Sequence, residues 1–234
     1  MIKNILRSFS STKIDCYTNR SDVLDLTPIE YSNKVIPEWF KNTKPSYECE
    51  FDNRQSPTIK HCEGFKNLLK TGFVLRLWSD LRINIHKDGY TWVFADQKSE
   101  TEWHNSNQWK SFYDEDKYYH IKIKSPYKLV CNDDTKFYCT PHELFPHNQL
   151  KILSGILDFK HQHSTHINCF IEKKEQEIVI PHGFPLYQFI PLTNNKVKIQ
   201  NKLTSKETMT SLETPTVKFV GNYNYIKKCP FHKR

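Results

Sequence analysis

Residues 180–192 read IPHGFPLYQFIPL, a short apolar run with three prolines and a glycine in a lysine-rich chain. Proline has no N–H to give a sheet ladder, so Pro181 ends the strand that runs through EIVI (177–180). His182-Gly183 then turns, Gly183 being free to take a positive φ. Leu186 to Ile190 restart as a strand, and Pro191 stops it. The prolines fence two strands around a tight corner, and that corner predicts a fold of short paired strands.

The rest of the chain has the same grain. YYHIKIKSP (118–126) alternates, with Tyr119, Ile121 and Ile123 on one face. YKLVCN (127–132), TKFYCTP (135–141), KILSGILDFKH (151–161) and HINCFIE (166–172) are further β-type runs between turn signals. FVLRLW (73–78), LRINI (81–85) and YTWVFA (90–95) are strands too, the last two joined by HKDG as a hairpin. CEGFKNLLKTG (62–72) is a short helix with Phe65, Leu68 and Leu69 at helical spacing and Gly72 just past its end. Residues 42–57 and 96–117 read as polar loops. The expected fold is mainly β, a single barrel or sandwich, β-clip-like or jelly-roll-like, with a minor short helix. It divides into an extended arm (1–57), a core (58–192) and a basic tail (193–234).

Composition narrows the classes. An aromatic share of 14% supplies a core and excludes disorder throughout, and six glycines exclude a collagen-like chain. The net charge of +8 admits a nucleic-acid or anionic partner, although the lysines are spread and only IKKCPFHKR (226–234) is a basic run. MIKNILRSFSSTK (1–13) lacks acidic residues; it reads either as an ordinary lead into a first strand or as a targeting presequence. Seven cysteines, Cys16, Cys49, Cys62, Cys131, Cys139, Cys169 and Cys229, form no C-x-x-C pair, which predicts reduced thiols and a cytoplasmic setting. No apolar stretch approaches the roughly 18 residues of a membrane helix, so no membrane partner is expected.

The corner and its apolar-x-Gln-apolar strand, with SGILDFKHQ (154–162) upstream, resemble the late strands of the dUTPase/dCTP-deaminase β-clip family over about residues 118–192. That resemblance implies that Asp158 lies by a sugar, that Gln188 belongs to a structural strand, that Mg²⁺ assists a nucleotide, and that copies of the chain associate. The family's Arg-Ser phosphate motif is replaced here by CTPHELFP (139–146), and no glycine-rich phosphate loop is present. A second resemblance spans about residues 14–192: IPEWFK (36–41), TIK-x-C-x-GF with LW-SDL (58–81), SPY (125–127), SGILD and the corner itself are similar to an uncharacterised family carried by tailed phages, especially those of marine bacteria. It implies a viral protein, and the heavy use of Lys, Asn and Ile fits an AT-rich genome.

Other residues bear chemistry. HQHSTH (161–166) puts His161 and His163 on one face, where with Asp158 they suit iron or zinc, or else form a solvated loop. His86-x-Asp88, completed by His142 or His147, has the spacing of an iron/2-oxoglutarate oxygenase, or else is plain hairpin chemistry. Trp78, Trp92, Trp103 and Trp109, with Tyr90, Tyr118 and Tyr119, suit a surface that stacks on bases or sugars, or else a core; Trp103 and Trp109 stand out because their surroundings are polar. Cys62 beside His61 and Cys139 near His142 are the nearest Cys–His pairs. The expectation is a non-catalytic phage protein, virion component or binding module, found in the host cytoplasm or the virion. Its ligand residues would be Asp158, His161, Gln188, Trp103 and Trp109, and its partners further copies, other phage proteins, or a nucleotide or nucleic acid. No cofactor is expected on that reading. The alternatives are a divergent nucleotide enzyme using Mg²⁺ and an iron-dependent oxygenase.

Overall fold

The computed structural model describes residues 11–51 and 53–213. The first part of the chain gives β1 (Ser11–Thr18), α1 (Ser21–Leu26), β2 (Glu30–Tyr31), α2 (Glu38–Asn42), β3 (Ser46–Glu48), β4 (Gln55–Pro57) and α3 (Glu63–Lys70). The middle gives β5 (Phe73–Arg76), β6 (Leu81–His86), β7 (Gly89–Phe94), β8 (Thr101–Trp103), β9 (Tyr118–Ile123), β10 (Lys128–Cys131) and β11 (Phe137–Pro141). The last part gives β12 (Lys151–Ile152), β13 (Gly155–Leu157), β14 (Ile167–Glu172), β15 (Gln176–Ile180), β16 (Pro185–Pro191), β17 (Lys196–Leu203) and α4 (Lys206–Ser211).

The fold is mainly β and sandwich-like. Strands order as β13-β11-β16-β5-β2, β12-β14-β9-β8, β15-β6-β7 and β10-β1-β17, with β3-β4 a separate hairpin. Among the described residues no sheet closes on itself, which corrects the barrel alternative. One apolar cluster runs through the four larger sheets, joining Ile14, Phe73, Ile83, Ile121, Leu129, Phe137, Ile171 and Phe189, each 0% exposed.

The chain changes sheets at two corners lying side by side. Leu77–Asp80 carries it from β5 to β6, and Pro181–Phe184 carries it back from β15 to β16. Leu77 N donates to Phe184 O (2.8 Å), Gly183 N to Leu77 O (2.7 Å) and His182 N to Asp80 Oδ1 (2.6 Å). Phe184 N closes the turn on Pro181 O at 3.1 Å, with Gly183 at φ +80°. Each corner thus satisfies the backbone groups that the other leaves without a ladder.

From residues 11–57 and 193–213, β1, β2 and β17 join the larger sheets. β1 lies between β10 and β17, antiparallel to the first and parallel to the second. Its Thr12, Ile14, Cys16 and Thr18 point inward with period two and are fully buried. The loop expected over 96–117 contains β8, paired with β9. The six described cysteines are free thiols. No helix among the described residues is long and apolar enough to cross a membrane. The presequence reading of 1–13 falls almost wholly, and the basic run 226–234 with Cys229 entirely, outside the described residues.

Candidate binding face

The expected ligand residues do not converge. Asp158 is a turn-former: its Oδ1 accepts from Lys160 N at 3.0 Å, and its carbonyl accepts from His161 N and Gln162 N. Gln188 is fully buried on β16, and its Nε2 donates to Leu68 O and Thr71 O, each at 2.9 Å. Leu68 O, in the last turn of α3, also accepts from Thr71 N at 3.3 Å, and Thr71 O lies just past the helix, so Gln188 adds a side-chain cap at that C-terminus. It faces Ser32 and α3, while Asp158 follows the strand that pairs at Phe137.

His161 is exposed. His163 Nδ1 lies 3.1 Å from Leu129 O and 3.0 Å from Phe159 O; facing two carbonyls, it carries its proton there and braces the loop. His166 Nδ1 accepts from Ser125 N at 3.2 Å, and burial, with Lys128 nearby, pushes its pKa down to about 4. His86 ends β6 at the two-residue turn before β7, while His142 and His147 pack on Phe145 and Phe184. Among the described residues no group of three or more His, Cys, Asp or Glu is placed to hold a metal ion. Cys139 is buried, and burial pushes its thiol up to about 12, which leaves it a poor nucleophile.

The aromatic residues divide into three settings. Trp78 is core, its Nε1 donating to Ser99 Oγ at 2.7 Å. Trp109 is buried edge-on to Phe170 (4.9 Å between ring centroids, 76°) in a second small cluster with Tyr118. Trp103 instead lies at a seam. β7 and β8 are edge strands of different sheets, and their side chains close the gap between those sheets. Trp103 stacks on Tyr90 at 5.1 Å and 10°, and both rings touch Tyr119. Trp92 lies 5.8 Å from Tyr90. The two tyrosines are buried while Trp103 is 50% exposed and Trp92 39%, so rigid buried rings back two open indole faces.

A depression adjoins this ledge, lined by Asp114, Asp116, Lys117, Glu172, Lys173 and Lys174. Lys173 belongs to both, its Nζ lying 4.9 Å from the Tyr119 ring centroid. Three lysines and three carboxylates make this rim near-neutral.

Sequence reasoning missed His104 and His120. The rings of His104, His120, Phe170 and Tyr113 form a column with successive centroid separations of 4.5, 4.7 and 4.2 Å, each step within 22° of parallel. His120 falls on the polar side of the β9 alternation and so reads as solvent-facing, but residues 104–117 fold over it. It also missed Lys128, buried on β10, whose Nζ donates to Ser164 Oγ at 2.9 Å and lies 3.6 Å from Glu213. Burial holds the Lys128 pKa below its ordinary value.

No family model matches the chain, and no curated protein matches it.

Proposed function

We propose that the chain is a non-catalytic binding module, a tailed-phage protein of the virion or host cytoplasm, that lays the rings of a glycan against the Trp92–Trp103 ledge. The observation that carries this reading is Trp103, half exposed yet held flat on a buried tyrosine. An apolar face kept open and rigid at no rotamer cost suits a flat, weakly hydrated partner. The rim favours a sugar over a polyanion: its three lysines donate and its three carboxylates accept, and a phosphate backbone would meet Asp114, Asp116 and Glu172. The viral assignment rests on the similarity over residues 14–192.

The test is a titration with soluble neutral oligosaccharides of several monomer types, followed by tryptophan fluorescence, with oligothymidylate as a parallel arm. Binding of at least one saccharide is expected, weakened about ten-fold or more by Trp103→Ala, which removes one stacking partner. The same substitution leaves thermal stability within a few degrees, since half of that ring is already in water. Binding of the oligonucleotide alone would transfer the ledge to nucleic acid. No binding in either arm would reduce it to a seam.

A further inference from the structure

We infer that residues 105–116 form an acid-released flap, latched over the buried ring of His120 and its neighbour Phe170 by Trp109 and Tyr113. The latch does not depend on what the ledge binds.

β9 and β14 bury one face in the main core, through Tyr119, Ile121, Ile123, Ile167, Cys169 and Ile171. Their other face carries His120, Lys122, Asn168 and Phe170, and 104–117 covers it with Trp109 and Tyr113. Between β8 and β9 that segment forms no strand, and its short turns are closed by bonds such as Trp109 N to Ser106 O and Tyr118 N to Asp114 O. Its backbone is tied to the sheets at its two ends, by His104 N to His120 O at 3.2 Å and Lys173 N to Lys117 O at 2.8 Å, so residues 105–116 open between those ties.

The polar atoms beneath it are left without partners. Both ring nitrogens of His120, His104 Nε2 and Trp109 Nε1 are buried with no hydrogen bond. His104 Nδ1 lies 2.5 Å from Gln108 Oε1, an acceptor, so that nitrogen carries the proton and Nε2 keeps a bare lone pair. Buried groups of this kind are tolerated only while neutral.

A proton on His120 finds only the neutral Asn168 side chain, too little to offset burial. The imidazoles are 4.5 Å apart, so two charges repel. From β8, Glu102 faces them but is held by Lys122 of β9 at 2.9 Å, and Lys122 adds a like charge. Tyr118 of β9 donates to Glu172 of β14 and accepts from Lys151 of β12, whose ammonium sits 4.3 Å from the Tyr118 ring centroid. On the flap, Asp114 and Asp116 point to the rim depression, where Lys117, Lys173 and Lys174 stand beside them. Opening the flap gives the His120 imidazole water, so proton uptake and opening are linked.

Hydrogen exchange of the full chain, corrected for intrinsic rate, tests this at about pH 7 and about pH 5. One histidine with an open-state pKa of 6.5 and a closed value of about 4 predicts a loss of protection in 106–117 of roughly twenty-fold, with β14 and β16 unchanged. His120→Phe keeps a ring in the column and removes the titration, so its protection stays level. Should that variant fail to fold, His120→Gln removes the same titration and its protection stays level. Equal loss in wild type and in the variant that folds, or loss spread evenly over every strand, would overturn the flap.

Discussion

His120 and His142 are both buried, and burial lowers the pKa of each to about 4, yet the molecule holds them by different means. His120 lies between a sheet face and a segment that forms no strand and is tied to the sheets only at its ends. His142 follows directly from β11; its Nδ1 accepts from Leu144 N at 3.3 Å, and its ring sits edge-on to Phe145 at 5.0 Å. Phe145 packs with Phe40, Phe65 and Leu69, residues of α2 and α3, and α3 is bound to the core through Gln188. The same perturbation therefore has two outlets. On one side a proton is admitted by a local opening, and on the other only by unfolding much of the domain.

The largest expected effect comes from breaking the unyielding side at Gly72. This residue follows α3 at φ +79°, and a Cβ there would lie 1.9 Å from Phe189 O, a backbone atom of β16. Neither the positive φ nor the close approach leaves room for a side chain. Gly72→Ala must push α3 away from β16, separate Gln188 from Leu68 O and Thr71 O, and loosen the helices that cover His142. A loss of about 4 kcal/mol or more is expected in denaturant unfolding. A stable Gly72→Ala protein with unchanged β16 protection would show that α3 is not anchored there.

The next effect is acid sensitivity. The sign follows from the depressed folded values. The unfolded chain takes up protons at pH 6.5 while the folded chain resists until about pH 4, so stability falls as pH drops through that window and levels below it. For His142, 3% exposed, the loss amounts to about 3 kcal/mol. His142→Phe should flatten the pH dependence of global unfolding by about that amount, whereas His120→Phe should flatten it less, because the flap relieves His120 before the domain unfolds. Equal flattening by the two would erase the distinction between the sites.

These differences also mark what the sequence can and cannot express. The proline corner, the strands on either side of it and the helix ended by Gly72 are legible because proline, glycine and period-two alternation act within a few residues. The pairing of β1 with β17 is not, since it joins Ser11 to Lys196 and leaves no local trace. Gln188 enters the expected ligand set through the β-clip resemblance; its partners, Leu68 O and Thr71 O, are backbone atoms far along the chain. Asp158, a sugar contact only by the β-clip resemblance, accepts from Lys160 N of its own turn. Of the tryptophans in polar sequence, Trp103 is half exposed and Trp109 is covered, because its segment folds back onto Phe170. A polar segment that covers a polar face is invisible to any reading that sorts residues by hydropathy, and the histidine column was hidden for that reason.

The smallest effect sharpens the comparison at the corner. Phe184 leaves the turn at Gly183 to meet Phe145 at 6.4 Å and His147 at 5.6 Å, so the turn props the side of the molecule that holds His142. Gly183 has φ +80°, but no atom lies within 4 Å of where its Cβ would stand. Only backbone strain opposes an alanine there, about 1–2 kcal/mol. Gly183→Ala should therefore fold, lose about that much stability in urea, and keep the steep pH dependence that His142 imposes. Gly72 and Gly183 share a backbone conformation and differ in their neighbours, so the gap between the two substitutions measures the contact with Phe189 O apart from the strain. If both cost the same, that contact relaxes freely, and α3 is held to β16 by Gln188 alone.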